Sequence, residues 1–281
     1  MATRMIIDRP ATTAPRRRWR SVAGAGGAAR WWQPVAGIVL FLALVELTRV
    51  LSERVRSGVP SMVDVVRELG GLLGNAQFWS AVTDTLTAWA MGMGLVLVTA
   101  VPLAILVGLS KRAYVATSMT AEVLRPIPPV AVIPLAVLLL GSGVQLNALL
   151  AFIGAFWPTY LQTTYGVRAV DPVMMCTARV YGLNRWERIV NVVLPSATPF
   201  VATGLRLSAA AALILSVTGG IVTGAPGLGA RISQLQSGGA MAQMYAVVVA
   251  TGLLGVLINR IFHLIEAPTM RWHPSRRKSA S

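Results

Sequence analysis

Few side chains in this 281-residue sequence can do chemistry, and their spacing closes several routes at once. The two lysines, Lys111 and Lys278, follow Ser110 and Arg277. Neither therefore sits in the G-x-x-x-x-G-K-[ST] loop whose amides and lysine hold nucleotide phosphates. A G-x-G-x-x-G dinucleotide fingerprint is also absent. Cys176 is the sole cysteine, which excludes an intrachain disulfide and a thiolate metal cluster. It reads as a small apolar helix residue. His263 and His273 are too few and too far apart for a zinc-enzyme signature. ATP hydrolysis therefore lies outside this chain, no cofactor is expected within it, and energy for work must come from a partner or a gradient.

What remains is polar chemistry inside an apolar chain. Arg206 stands eleven positions after Pro195, roughly 16 Å along a helix at about 1.5 Å per residue. Arginine at mid-span costs about 2.5–3.5 kcal/mol on insertion scales, so it must face protein or water. Two roles are open: an anion-binding or gating cation in a translocation path, or half of a pair with Glu122 or a span-end carbonyl. Trp157, Tyr160 and Thr164, with Gln162 and Thr163, form a second polar stripe that can line such a path. Aromatic residues also serve as packing and interface anchors.

The longest polar interruption in the second half is Asp171–Pro195, DPVMMCTARVYGLNRWERIVNVVLP. Asp171 can cap a helix whose first position suits Pro172. Gly182 supplies the left-handed residue that ends a helix, and Asn184 with Glu187 has the form of a capping box. The segment reads helix, turn, helix, the second helix stopping at Pro195. Its tip is Gly182, Leu183, Asn184, Arg185, Trp186 and Glu187. Trp and Arg at such a tip suit a protein interface and equally suit lipid headgroups.

The elements that must carry these residues follow from hydropathy. With 55% hydrophobic and 12% charged residues the chain is too apolar for an ordinary soluble protein, and about 20 apolar residues cross a ~30 Å bilayer core. Six spans are expected: 31–51, 82–109, 127–141, 146–168, 196–217 and 240–262. The formal net charge of +15 invites nucleic-acid binding. Its placement argues for a membrane instead, because the basic clusters (the N-terminal tail, Lys111-Arg112, 168–188 and Arg276-Arg277-Lys278) fall on one side of the six-span scheme. Residues 1–30 read as a disordered basic tail, with an organellar transit peptide as the alternative. Residues 31–265 form one membrane domain, and 266–281 a second basic tail. The run 31–51 is long for a signal peptide and is expected to be retained.

Between the spans, Glu46 and Arg49 can pair at i,i+3, an interfacial helix is expected at 61–74, and a short helix at 113–124. Gly92 and Gly94 are candidates for close helix contact. Pro126, Pro128, Pro129 and Pro134 make span three irregular at its start, consistent with a translocation path or with a kinked helix. Gly141-Ser142-Gly143 makes the turn into span four. Residues 218–238, with Gly219-Gly220 and GAPGLG, are too glycine-rich to be assigned to a helix.

These blocks together resemble bacterial ABC-importer permeases. The 171–195 loop is similar to that family's cytoplasmic loop when its glycine is placed on Gly182, with Val192, Leu194 and Pro195 at the Ile-x-Leu-Pro ending. At the family's Glu-Ala-Ala triplet this chain has Cys176, Thr177 and Ala178, so the acid is missing, as is one often found where Gly220 stands. LRPIPPVAVIPLAVLLLGSG (124–143), GAFWPTYLQTTYGVRAVD (154–171) and GAPGLGARI (224–232) look like the nitrate/taurine/sulfonate branch. The resemblance covers roughly 35–272.

The resemblance implies an all-α integral membrane protein of type I (MetI-like) permease architecture in the bacterial inner membrane, with both termini cytoplasmic. It further implies that Gly182–Glu187 dock in a groove of a cytoplasmic ATPase. Two such ATPases would bind the ATP and Mg, a second permease copy would complete the pathway, and an extracytoplasmic binding protein would deliver a small, anionic solute. Nucleic acid is not an expected partner; the lipid bilayer is. A gradient-driven carrier is the competing class, but it would ordinarily show paired intramembrane acids or repeat halves. A non-transporting membrane scaffold is the third.

Overall fold

The structure is a computed structural model that describes residues 32–53 and 58–269. The expected basic tail over 1–30 and the Arg276–Lys278 cluster lie outside the described residues. Helix α1 (Trp32–Leu51) forms one unit by itself, and the chain from Ser52 onward forms another. Within α1 the expected pair is made, Arg49 Nη1 lying 2.6 Å from Glu46 Oε1.

In the second unit, helix α2 (Met62–Leu72) begins where the Ser61 hydroxyl accepts from the Asp64 amide, as Pro60-Ser61 suggests. Asn75 caps α3 (Ala76–Leu109), accepting from the Gln77 and Phe78 amides, so this helix starts six residues before the expected span. Ser110 ends it and caps α4 (Lys111–Leu124). The prolines then limit regular structure to a 3-10 turn, Pro129–Val132, and α5 (Ile133–Leu140). Gly141, at φ +68°, turns the chain into α6 (Val144–Arg168). Helices α7 (Pro172–Val180) and α8 (Arg185–Arg188) follow. A π turn, Ile189–Val193, then leads into α9 (Leu194–Thr223), α10 (Leu228–Ser237) and α11 (Met241–Thr269).

Three expectations are corrected. Among the described residues four helical stretches, not six, are long and apolar enough to cross a membrane: Ala76–Leu109, Val144–Arg168, Arg185–Ser237 and Met241–Glu266. The count rises to five if Lys111–Leu124 and Pro129–Leu140, bent by 79°, are one broken span. The expected third span fails because α5 has only 8 residues, about 12 Å of helix against a ~30 Å core. Second, Pro195 does not stop its helix. The Leu194 amide reaches back to the Ile189 carbonyl, and this widened turn gives the proline ring room where a regular α-helix would bring a clash and a lost hydrogen bond. Third, 218–238 is largely helical. Gly219 and Gly220 lie inside α9, and a Cβ on Gly220 would come within 3.1 Å of the Ala230 amide nitrogen and the Ala225 carbonyl. These glycines allow α9 and α10 to touch rather than breaking them.

The core has α6 between α3 and α9. Along α3, Ala88, Gly92, Val96, Ala100 and Ala104 recur every four residues and are all buried, an i±4 ridge of small side chains that lets backbones close in. Gly92 makes the expected contact, since a Cβ there would lie 2.6 Å from that of Ala151; at Gly94 nothing lies within 4 Å. Polar side chains stitch the layers together. Trp89 Nε1 donates to the Ala209 carbonyl at 2.9 Å, and the Leu228 amide donates to Thr85 Oγ1 at 2.8 Å. Ser208 Oγ donates to the Ala155 carbonyl at 2.6 Å and meets Thr159 Oγ1 at 2.6 Å.

Candidate functional site

The loop between α6 and α9 is built from local rules. Asp171 caps α7 through the Val173 amide, with Pro172 in its first turn. At the other end Gly182 takes φ +76°, the Gly182 amide donates to the Arg179 carbonyl, and the Leu183 amide donates to the Ala178 carbonyl, both at 3.0 Å. That pair of bonds is a Schellman motif, and the left-handed residue it needs is why glycine stands there. One residue later a full capping box opens α8: the Glu187 amide donates to Asn184 Oδ1 at 2.9 Å, and the Asn184 amide donates to Glu187 Oε2 at 2.8 Å. The loop is therefore braced by Asp171 and Glu187, without the acid missing at Cys176.

This bracing fixes what the tip presents. Trp186 is 72% exposed and Tyr181 78%, with Val180 and Arg185 also exposed and Leu183 half-buried. Burying such a tryptophan is a large apolar gain available to a partner. The π turn fuses α8 to α9, so the tip and the longest helix of the second half form one continuous element.

Arg206 is paired, but not with Glu122. Its Nη1 lies 3.0 Å from Oε2 of Glu266, whose Oε1 accepts from Thr203 Oγ1 at 2.8 Å. The Glu266 side chain is 5% exposed and that of Arg206 31%. Glu266 was expected in the C-terminal tail; instead α11 continues to Thr269 and carries it against α9. A sequence signal existed, since Glu266 is the sole acid after Glu187.

The polar stripe of α6 divides. Trp157 belongs to an edge-on cluster with Phe156 and Tyr160, at centroid distances of 5.3 and 5.9 Å. Thr164 is buried and donates to the Tyr160 carbonyl at 2.8 Å. Tyr160 and Thr164 line a cavity of about 110 Å³ between α4 and α6, into which Glu122 and Arg125 also project; Trp157 is not on its wall. Thus Tyr160 and Thr164 come together, while Arg206 and the loop tip belong to other places. Among the described residues no group of three His, Cys, Asp or Glu is placed to hold a metal ion.

Residues 100–269, more than half of the chain, match the family described as binding-protein-dependent transport system inner membrane component. The nitrate import permease protein NrtB of Synechocystis sp. is 28% identical over 238 residues, covering 82% of this chain and 86% of that relative. The bicarbonate transport system permease protein CmpB of Synechococcus elongatus is 26% identical over 270 residues, covering 90% and 95%. In fold, the chain is similar to an inward-facing structure of the MetNI methionine ABC transporter, with a TM-score of 0.61 at 21% identity over 69% of this chain and 96% of that one. The chain belongs to the family of inner-membrane components of binding-protein-dependent transport systems: it is the permease subunit of an ABC-type importer, a transport component and not an enzyme.

Proposed function

We propose that this permease moves a small solute bearing an anionic group, and that Gly182–Glu187 is where a cytoplasmic ATPase grips it. The observation that carries the coupling role is the loop itself: an exposed tryptophan on a hairpin rigidified by a Schellman motif and a capping box, fused without a break to α9. A rigid element gripped at one end transmits motion to the other. Two ATPases then bind the ATP and Mg and hydrolyse the nucleotide, two permease copies enclose the path, and both termini face the cytoplasm with the loop. The anionic character is supported by relatives named for nitrate and bicarbonate.

The test is co-purification with the ATPase together with uptake in proteoliposomes. Gly182→Val forces a β-branched residue into the left-handed region, where it is a severe misfit, while touching no span. The variant is expected to insert and to lose the ATPase or uncouple hydrolysis from uptake. Retention of the ATPase with uptake at the unmodified rate would make the loop a spacer on the lipid headgroups.

A further inference from the structure

The hairpin between α6 and α9 holds charges that its own fold does not use. Its two acids turn inward: Asp171 accepts from the Val173 amide and Glu187 from the Asn184 amide, so each carboxylate serves a helix start. Helix α7 has no acid in its first turn and Arg179 in its last. The guanidinium groups of Arg179, Arg185 and Arg188 make no ion pair, hydrogen bond or ring contact among the described residues. Arg168, at the end of α6, is by contrast engaged, its guanidinium carbon lying 3.9 Å from the centroid of the Tyr114 ring.

Local structure gives no reason for a cation at Arg185. It is the first residue of α8, directly after the Asn184 cap, where the helix dipole favours an acid and opposes a positive charge. Arg179 and Arg185 are exposed and Arg188 is half-buried, and the exposed Tyr181 and Trp186 stand between them in sequence. Aromatic residues with arginine are the composition enriched at protein interfaces. Each guanidinium is a planar fork of donors that fits a carboxylate with two parallel bonds. The phosphates of a bilayer offer the same charge, but the bracing of the hairpin separates the two. Headgroups rearrange around any shape, whereas a protein surface binds more tightly when the element it receives is already rigid. The Schellman turn and the capping box hold the three arginines at fixed backbone spacing.

We infer that the hairpin docks into an acidic recess of the ATPase: an apolar floor takes Tyr181 and Trp186, and a rim of Asp and Glu side chains pairs with Arg179, Arg185 and Arg188. The inference rests on the coupling reading above and adds the chemistry of the partner's surface. The contact has a fixed sign, positive on the permease and negative on the ATPase.

The experiment uses the full-length chain in nanodiscs and the ATPase that co-purifies with it, identified by its P-loop sequence and then purified. Arg179→Lys, Arg185→Lys and Arg188→Lys are each treated with a carbodiimide, which joins an amine to a carboxylate in contact with it and adds no spacer. At least one of the three is expected to link to an Asp or Glu of the ATPase, located by mass spectrometry. Affinity is measured alongside. Arg185→Glu should weaken ATPase binding by about tenfold or more, the range for hydrogen bonds to charged groups. Its melting temperature should stay equal or rise, because an acid suits that end of α8. Salt should weaken the unmodified pair as the Debye length falls from about 10 Å at 0.1 M to about 3 Å at 1 M. No cross-link from any of the three variants while the complex holds, or an affinity indifferent to both Arg185→Glu and salt, would overturn the acidic recess and leave the coupling reading standing. An effect of Arg185→Glu seen in phosphatidylglycerol nanodiscs but not in phosphatidylcholine ones would assign the arginines to lipid headgroups and overturn it as well. If the unmodified chain holds no ATPase, or Gly182→Val keeps both ATPase and uptake, the coupling reading fails and this inference with it.

Discussion

Removing the cation from the Arg206–Glu266 pair should cost far more than removing the anion's charge. The reason is the asymmetry of burial: the Glu266 side chain is enclosed, whereas nearly a third of that of Arg206 lies on the surface of the chain. Arg206→Leu takes the guanidinium away from a buried carboxylate that Thr203 also binds, a change that costs about 3–5 kcal/mol when a buried pair is broken from one side. Glu266→Gln keeps an acceptor for Thr203 and leaves a guanidinium that is only partly enclosed, so its cost is about 1 kcal/mol, that of an ordinary hydrogen bond. The double variant should then resemble Glu266→Gln, because no unpaired charge remains. A coupling of roughly 3–5 kcal/mol is expected, above the 0.5 kcal/mol or so of independent sites. Thermal unfolding of the purified chain, followed by tryptophan fluorescence, reads this directly. At about 2–4 °C per kcal/mol for a chain of this size, Arg206→Leu should melt some 6–20 °C early and the double variant within about 4 °C of the unmodified chain. Additive losses in the double variant would refute the pair. So would rescue of Arg206→Leu by Glu122→Gln, a residue that the structure places in a different cavity.

Other outcomes follow from the same contacts. Trp186→Ala should leave folding intact and weaken ATPase binding by about 2 kcal/mol, roughly thirtyfold, as interface anchors do; an unchanged dissociation constant would remove Trp186 from the contact. Gly229→Ala should lower the melting temperature sharply, because the added methyl would run into the backbone of α9 at Val217; a neutral result would mean that α9 and α10 do not touch there. Thr85→Val should cost about 1–3 kcal/mol by leaving the buried Leu228 amide without its acceptor, measured by unfolding as above.

The parts that were legible in the sequence are those whose causes lie within about five residues. Asp171, Gly182, Asn184 and Glu187 each act on backbone groups two to five positions away, so caps and turn could be read in full. The Glu46–Arg49 pair and the Ser61 cap belong to the same class. The misreadings are those in which a distant element decided the outcome. Gly219 and Gly220 looked like breakers because glycine weakens a helix, but the close approach of α10 requires them inside one. Pro195 looked like a stop, and a change of helical pitch a few residues earlier accommodates it. The partner of Arg206 depended on how far α11 runs, which hydropathy alone does not set, since a charged residue near a span end ordinarily marks its exit. Tyr160 and Thr164 stand out by polarity along one helix; the charges that share their cavity come from another, beyond the reach of any periodicity.

The π turn has a mechanical meaning. It welds α8 to α9, so a push on Trp186 acts on the foot of a mast: 30 residues of α9, about 45 Å tall. If the mast tilts as a rigid body by about 10°, its head sweeps about 8 Å, far more than the foot moves. At the head the packing is tight. There Gly220 meets Gly229 backbone to backbone, with no side chain to deform, so such a tilt would meet a hard stop instead of a spring.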